Sequence, residues 1–168
     1  MIFDHLRKTP WEPTFTWVAT VEEAADQINS FHEDYPKRVP KTMKAIPKTG
    51  DLCELYPGSV KGGIISTYLL LAIHTQVFDD TPFAGRPRDV QVRVGDHRPP
   101  PSFEVPRLMA KLQDAYTAVT TLETLKEWYW DFETIHPFQD GNGRVGGIMV
   151  AAFSHAFEPS QGWLAPNQ

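Results

Sequence analysis

The chain has 168 residues, a length that fits one domain with a hydrophobic core. Hydrophobic residues make up 41% of it and charged residues 22%, which argues against a disordered chain. The net charge of -5 argues against general binding to nucleic acid or to anionic membranes, since both require a basic surface.

Three features predict a cytoplasmic protein. The single cysteine, Cys53, excludes an internal disulfide and suits a reducing compartment. The N-terminal segment MIFDHLRKTPWEP lacks the apolar core of a signal peptide. The longest apolar stretch, residues 63–78, is too short and too interrupted to span a bilayer.

The first predicted helix begins after Thr20, which forms a capping box with Glu23. Apolar residues follow at helical spacing: Val21, Ala24, Ala25, Ile28 and Phe31. Tyr35-Pro36 is expected to stop this helix. A basic run comes next: Lys37, Arg38, Lys41, Lys44 and Lys48. Such a run is usually a solvated loop, although it can attract a phosphate or an acidic partner.

Helical patterns dominate the rest of the chain. Helices are predicted over about 59–77, from Pro106 onward, over about 122–134 and over about 144–157. The helix over about 122–134 is predicted to bury Leu122, Leu125, Tyr129 and Phe132. The helix over about 144–157 is predicted to turn these residues inward: Val145, Ile148, Met149, Ala152 and Phe153. On the helix from Pro106, one face carries Val105, Leu108, Met109, Leu112 and Tyr116. The predicted fold is therefore mostly α.

One segment has strand periodicity instead. Val90, Gln91, Val92, Arg93 and Val94 alternate with period two between glycine-containing turns. We predict one arm of a β-hairpin here. Its edge can accept an extended peptide by strand addition, or the hairpin can be a purely structural ribbon.

The segment HPFQDGNGR, residues 136–144, joins the last two predicted helices. Gly141 and Gly143 flank Asn142, and these residue types adopt positive φ at low cost. Such a turn can point backbone N–H groups into one concavity, and the positive end of the next helix faces the same place. We therefore predict a phosphate-binding loop.

The side chains of this loop suggest chemistry. Arg144 can donate two hydrogen bonds to phosphate oxygens. Asp140 would repel a bare phosphate, so a cation such as Mg²⁺ is expected between them. His136 titrates near neutral pH and can take a proton from an attacking hydroxyl. Phe138 is expected to point into the core and anchor the loop.

Other interpretations of these residues are weaker. A lone histidine is usually a packed or surface residue, and DGNG alone is usually an ordinary turn. The spaced acids and the final glutamate of a calcium loop are missing, and no zinc-ligand spacing is present. The ordered combination between two helices is rarer than its parts, which favours a functional site.

The segment HPFQDGNGRVGG resembles the signature loop of Fic-domain proteins, H-P-F-x-[D/E]-G-N-G-R-x-x-R. VPRLMAKL and FETIHPF are similar to the segments that usually precede that loop. The resemblance implies a small helical bundle with a short β-hairpin flap near the active loop. It predicts a single domain over 1–168, with a recognisable core at about 60–158 and a helical or loop segment at 1–59 that it does not place.

The resemblance also implies a reaction, the transfer of a nucleoside monophosphate, usually AMP from ATP, to a protein Ser, Thr or Tyr hydroxyl. His136 would be the catalytic base, and Asp140 would hold Mg²⁺. Gly141, Asn142, Gly143 and Arg144 would bind the phosphates. The target protein would dock on the flap formed by Val90, Gln91, Val92 and Arg93. If the protein is an effector, it would act in a host cytoplasm.

The sequence departs from the signature at Gly147, where the family usually has a second arginine that meets the terminal phosphate. Two alternatives follow: a Fic-like module that binds a nucleotide or a partner without catalysis, or a transferase with another phosphoanhydride donor. Gly146-Gly147 implies either a closely packed neighbour or room for a different donor group. The Ser154–Glu158 match to the family's inhibitory motif is interpreted as coincidence, which leaves room for an inhibitor on a separate chain.

Overall fold

The computed structural model describes residues 1–7, 11–58 and 62–167. Its helices are α1 (Val21–Asn29), α2 (Tyr35–Leu52), α3 (Thr67–Val77), α4 (Val105–Ala115), α5 (Leu122–Ile135) and α6 (Asn142–Phe157). Strands β1 (Phe15–Val18) and β2 (Trp163–Pro166) pair antiparallel, with Phe15 opposite Pro166. The mostly helical fold class is confirmed. No helix in the described ranges is long and apolar enough to cross a membrane.

Helix α6 lies at the centre of the fold. It packs against α1, α2, α5 and β2. Its predicted inward residues are all buried: Val145, Ile148, Met149, Ala152 and Phe153. Because α6 begins directly after the 136–141 loop, its packing fixes where that loop sits.

The capping box at the start of α1 is present. The Thr20 hydroxyl accepts a hydrogen bond from the backbone N–H of Glu23, at 3.0 Å. The helix ends at Asn29 and not at Tyr35, so the predicted end was wrong. Tyr35 begins α2, with Pro36 in its first turn, where a missing N–H costs nothing.

The basic run was predicted as a loop, and this was wrong: it lies on α2. The sequence did not show this, because the acidic partners of these cations come from a distant segment, residues 79–80 after α3. Asp80 accepts hydrogen bonds from Lys37 at 2.7 Å and from Arg38 at 2.5 Å, and Lys41 pairs with Asp79. Three of the basic residues are therefore matched by acids of this chain.

Two other predicted elements differ from the structure. The helix expected from residue 59 begins at Thr67, and residues 59–61 lie outside the described residues. The predicted strand over 90–94 is an irregular segment with one isolated bridge, between Val94 and His97. Val90 and Val94 are exposed, so the alternation does not mark a buried face. The two-stranded sheet of the fold is formed instead by β1 and β2.

Candidate active-site loop

Two residues with positive φ shape the loop between α5 and α6. His136 follows the last residue of α5 and has φ 52° and ψ 65°. Gly141 precedes α6 with φ 89°, and a Cβ there would lie 2.3 Å from the ring of Phe78. Only glycine fits at 141, because both the backbone angle and the space forbid a side chain.

Asn142 closes the loop through its side chain. Its Oδ1 accepts a hydrogen bond from Phe138 N at 2.8 Å, and its Nδ2 donates to Phe138 O at 2.7 Å. The Asn142 amide is thus engaged with the loop backbone, and what Asn142 can offer a ligand is its backbone N–H. The first-turn N–H groups of α6 have no partner within the helix, and the space beside Gly143 is open to 4 Å.

His74 on α3 packs against the loop and bonds to its backbone. Its ring stacks on Phe138 with centroids 4.0 Å apart. Gly85 N–H donates to its Nδ1 at 2.9 Å, so Nε2 carries the proton and donates to the Asp140 carbonyl, also at 2.9 Å. Burial lowers the pKa of His74, which keeps this neutral tautomer. Phe138 itself is fully buried.

Arg88 holds the start of the loop. It is 4% exposed, and its guanidinium donates to the carbonyls of His136 at 2.7 Å and Pro100 at 2.5 Å. Its backbone N–H also donates to Pro137 O at 2.8 Å. These bonds fix His136 in its left-handed conformation. Nothing in the sequence pattern identified Arg88, because its partners are all backbone carbonyls.

The imidazole of His136 is held in its neutral form. Burial, reinforced by the positive charges of Arg88 and His97, lowers its pKa to about 4. The Glu133 backbone and the Asp140 carboxylate offset only part of this shift. His136 Nδ1 is buried without a hydrogen-bond partner among the described residues. The ring is therefore neutral at pH 7.

Arg144 is paired with two carboxylates. Nη1 lies 2.6 Å from Asp34 Oδ1 and Nη2 lies 3.0 Å from Asp140 Oδ1. The guanidinium is 2% exposed and lies over the Phe78 ring, and its Nε has no partner in the described part of the chain. The sequence did not identify Asp34, which reaches this site from the residue before α2.

Asp140 suits a metal site whose other ligands come from a bound phosphate and water, and not one formed by protein side chains alone. Its side chain is 53% exposed, and only its Oδ1 contacts Arg144. No three His, Cys, Asp or Glu side chains converge on a metal-sized space within the described ranges. A Mg²⁺ ion there would complete its coordination with phosphate oxygens and water, as it commonly does.

The glycine pair on α6 has packed neighbours. A Cβ on Gly146 would lie 2.8 Å from the Tyr129 ring of α5, and one on Gly147 would lie 3.0 Å from Ile28 of α1. Of the two interpretations of these glycines, close packing is the one observed. An arginine at 147 would meet Ile28.

The proposed flap residues lie in an irregular segment. Gln91 accepts a hydrogen bond from Ser102 N at 2.9 Å, and Arg93 donates to Gly95 O at 2.9 Å. The Val90 carbonyl accepts from Arg88 at 3.0 Å. Arg88 thus contacts both the proposed flap and the His136 backbone.

Comparisons with known proteins agree with this architecture. The model of the Fic/DOC family matches residues 64–154, more than half of the chain. A probable protein adenylyltransferase of Aquifex aeolicus is 32% identical over 97 residues, which cover 55% of this chain and 30% of that protein.

Solved structures show the same fold. A Fic family protein from Desulfovibrio desulfuricans has a TM-score of 0.58 and 25% identity, over 84% of this chain and 46% of that one. A Fic domain containing signaling protein from Bacteroides thetaiotaomicron has a TM-score of 0.59 and 16% identity, over 82% and 62%. This chain thus spans less than half of the Aquifex and Desulfovibrio proteins.

Proposed function

This chain belongs to the Fic/DOC family, and on that premise we propose that it is a Mg²⁺-dependent protein nucleotidyltransferase. It moves AMP from ATP to a Ser, Thr or Tyr hydroxyl of a target protein. The observation that carries the proposal is one loop that combines a neutral, half-buried histidine with the open N-terminus of α6. The name of the Aquifex relative supports the adenylyl group as the one transferred.

His136 acts as the general base. It takes the proton of the target hydroxyl, whose oxygen forms a bond to the α-phosphorus as the bond to the β-phosphate oxygen breaks and pyrophosphate leaves. The proton passes from His136 to solvent. A base that is neutral at working pH is what this step requires. Arg88 positions His136 by fixing its backbone.

The phosphates bind at the first turn of α6, where Gly141, Asn142, Gly143 and Arg144 supply backbone N–H groups and one cation. Asp140 would hold Mg²⁺, which would supply positive charge beside the phosphates. Arg144 Nη1 donates one hydrogen bond to Asp34, at 2.6 Å, and the guanidinium keeps other N–H groups that can donate to a phosphate.

The target protein docks along residues 90–93. Val90 is exposed and the Val94–His97 bridge leaves most of this segment unpaired, so an extended peptide can add to its backbone. Arg88 links this segment to His136, which places a docked residue near the base.

A second candidate rests on Gly147. Ile28 fills the space beside it, so no side chain at 147 meets a terminal phosphate. A donor with another phosphoanhydride group, or nucleotide or partner binding without catalysis, is consistent with that packing.

The experiment is label transfer from ATP labelled at the α-phosphate, with Mg²⁺, to this protein and to a cell lysate. His136→Ala is the comparison, and we expect it to lower transfer by about 10²- to 10⁴-fold while its circular dichroism matches wild type. Label that persists in His136→Ala would contradict the proposal. Nucleotide binding by wild type without transfer would favour the second candidate.

A further inference from the structure

Residues 89–96 form an arch that is held at both ends on the C-terminal end of α5. At one end, the Arg88 guanidinium donates a hydrogen bond to the His136 carbonyl at 2.7 Å. At the other end, His97 Nε2 lies 3.0 Å from the Thr134 carbonyl. These two anchors keep the 89–96 arch beside His136.

The backbone at the centre of the arch has unused hydrogen-bonding groups. Among the described residues, the backbone N–H and C=O groups of residues 91–93 make no hydrogen bond. An extended peptide can pair with these groups by strand addition, as the proposed docking of a target requires. The side chains around residues 91–93 then decide which peptide binds.

Three arginines at this arch have no ion pair among the described residues. They are Arg86, Arg93 and Arg98, and all three are exposed. Arg88 is engaged with backbone carbonyls. The remaining arginines pair with carboxylates of this chain: Arg7, Arg38, Arg107 and Arg144. The unpaired guanidinium groups are therefore concentrated near the His136 loop.

Residues 86–98 form a basic segment in an acidic chain. They contain four arginines and two aspartates, whereas the whole chain has a net charge of -5. Asp89 and Asp96 are exposed, and within the described ranges neither pairs with an arginine. Charges more than about 8 Å apart are largely screened at physiological salt. A partner at the arch therefore meets the local arginines and not the net charge of the chain.

An exposed aromatic ring lies next to the arch. Phe103 is 82% exposed. The backbone N–H of Ser102 donates to Gln91 Oε1 at 2.9 Å, which ties the turn that carries Phe103 to the arch. Val90, beside Gln91, is 41% exposed. A docked peptide can therefore cover apolar side chains while its charged side chains meet the arginines.

We propose that the target segment is acidic: the hydroxyl that receives the nucleotide lies in an extended stretch whose neighbouring positions carry Asp or Glu. The proposal rests on the proposed function and names the substrate class of the same site. A guanidinium can donate two parallel hydrogen bonds to a carboxylate, which suits arginine to this recognition. Arg86, Arg93 and Arg98 determine specificity and do not touch the reacting atoms.

The test is peptide binding to the full chain without nucleotide, measured by fluorescence anisotropy and by NMR chemical-shift mapping. The probe is a decapeptide with one serine between aspartates, compared with the same peptide carrying asparagines. We expect the aspartate peptide to bind about tenfold more tightly and to shift the amide signals of residues 91–93. Its affinity should fall as salt rises from about 50 to 300 mM.

Charge reversal tests the arginines directly. The double variant Arg93→Glu with Arg98→Glu should prefer a lysine-flanked peptide over the aspartate peptide. Lys48→Glu is the matched control, because it makes the same charge change at an exposed residue of α2. Its neighbour Pro47 lines a cavity with Ala152, in the C-terminal half of α6 and away from the loop. Lys48→Glu should leave peptide affinity within about twofold of wild type.

Label transfer to the peptide gives a second measurement. The double variant should raise the KM for the aspartate peptide about tenfold while kcat and the KM for ATP stay within about twofold. Such a change separates target docking from chemistry. A raised KM for ATP would place the arginines at the donor phosphates and overturn the proposal.

The outcomes separate this proposal from the proposed function. Equal or absent binding of the two peptides, shifts confined to residues outside 86–103, or tighter binding of a single-stranded DNA decamer would each overturn it. A preference for aspartate that depends on Arg93 and Arg98, without label transfer, would support it and count against the transferase alone. If the double variant fails to fold, Arg93→Gln decides, since it should lower the preference for aspartate about threefold.

Discussion

At the scale of single residues, the loop depends on side chains that bond to backbone. Arg88 holds the carbonyl of His136, His74 holds that of Asp140, and Asn142 bonds both backbone groups of Phe138. These bonds hold His136, Asp140 and the turn before α6 in one arrangement before any ligand arrives. Such preorganisation is what electrostatic stabilisation of a reaction requires.

The first prediction concerns the pH dependence set by His136. Its pKa is lowered to about 4, so the basic form persists well below the ordinary value of 6.5. We expect kcat/KM, which reports the free enzyme, to show no inflection between about pH 5.5 and 7.5. The measurement is the pH profile of label transfer.

An NMR titration of the His136 ring checks the assignment, with His136→Gln identifying its signals among the six histidines. The same pKa shift affects the free energy of unfolding. A histidine whose pKa is lowered by folding contributes stability that is present above pH 6.5 and is lost as pH falls toward 4. An inflection near pH 6.5 that disappears in His136→Gln would contradict the prediction.

At the scale of elements, two glycines of α6 let the neighbouring helices pack closely against it. Tyr129 packs on Gly146 from α5 and Ile28 packs on Gly147 from α1. Helix α6 is thus positioned from both sides. A side chain at 147, such as the family's usual arginine, would require Ile28 to move by a few tenths of an ångström.

The second prediction is that alanine at these glycines destabilises the fold. Gly146→Ala should lower the free energy of unfolding by about 1–3 kcal/mol, because overpacking exceeds the gain of about 1 kcal/mol in helix propensity. Gly147→Ala should cost less, and Gly147→Arg more. Urea unfolding monitored by circular dichroism measures each change.

Gly143→Ala is the matched control, since no atom lies within 4 Å of a Cβ there. It should be neutral or slightly stabilising. If Gly147→Ala acts through α1, its cost should shrink in an Ile28→Ala background, as contacting residues are not additive. Gly146→Ala as stable as Gly143→Ala would show that α5 moves away at little cost.

At the scale of the whole molecule, α5 ties distant parts of the chain together. Asp131 is fully buried and accepts hydrogen bonds from the backbone N–H of Phe3 at 3.1 Å and from the Tyr116 hydroxyl at 2.5 Å. It also pairs with Arg7. One carboxylate therefore joins the N-terminal segment to the region that follows α4.

The third prediction is that Asp131→Asn destabilises the protein by about 3–5 kcal/mol. The change removes the buried charge that pairs with Arg7, and it turns an amide nitrogen toward the Ile2 N–H and the Tyr116 hydroxyl that Oδ2 accepted. Glu123→Gln, an exposed change in the first turn of α5, should cost less than about 1 kcal/mol. Thermal melting of both variants measures the difference. Equal melting temperatures would show that the donors bound to Asp131 find water instead.

The residues of the loop and the order of most helices could be predicted from sequence, because both are local. Helical periodicity gave α4, α5 and α6, and the capping box gave α1. The sequence identified His136, Asp140 and Arg144 as a set because they lie within nine positions of one another. The family resemblance rests on the same local string, and residues 64–154 match that family.

Only the tertiary structure decided what surrounds that loop. Asp34, Arg88 and Ile28 lie far from it in sequence, and their roles depend on which backbone or side chain another element places beside them. Residues 90–94 have strand periodicity, but among the described residues the strands that pair are β1 and β2, and this segment forms only the Val94–His97 bridge. Periodicity reports a local preference, whereas a carboxylate on Arg144, a packed neighbour at Gly147 or a strand partner exists only once distant segments meet.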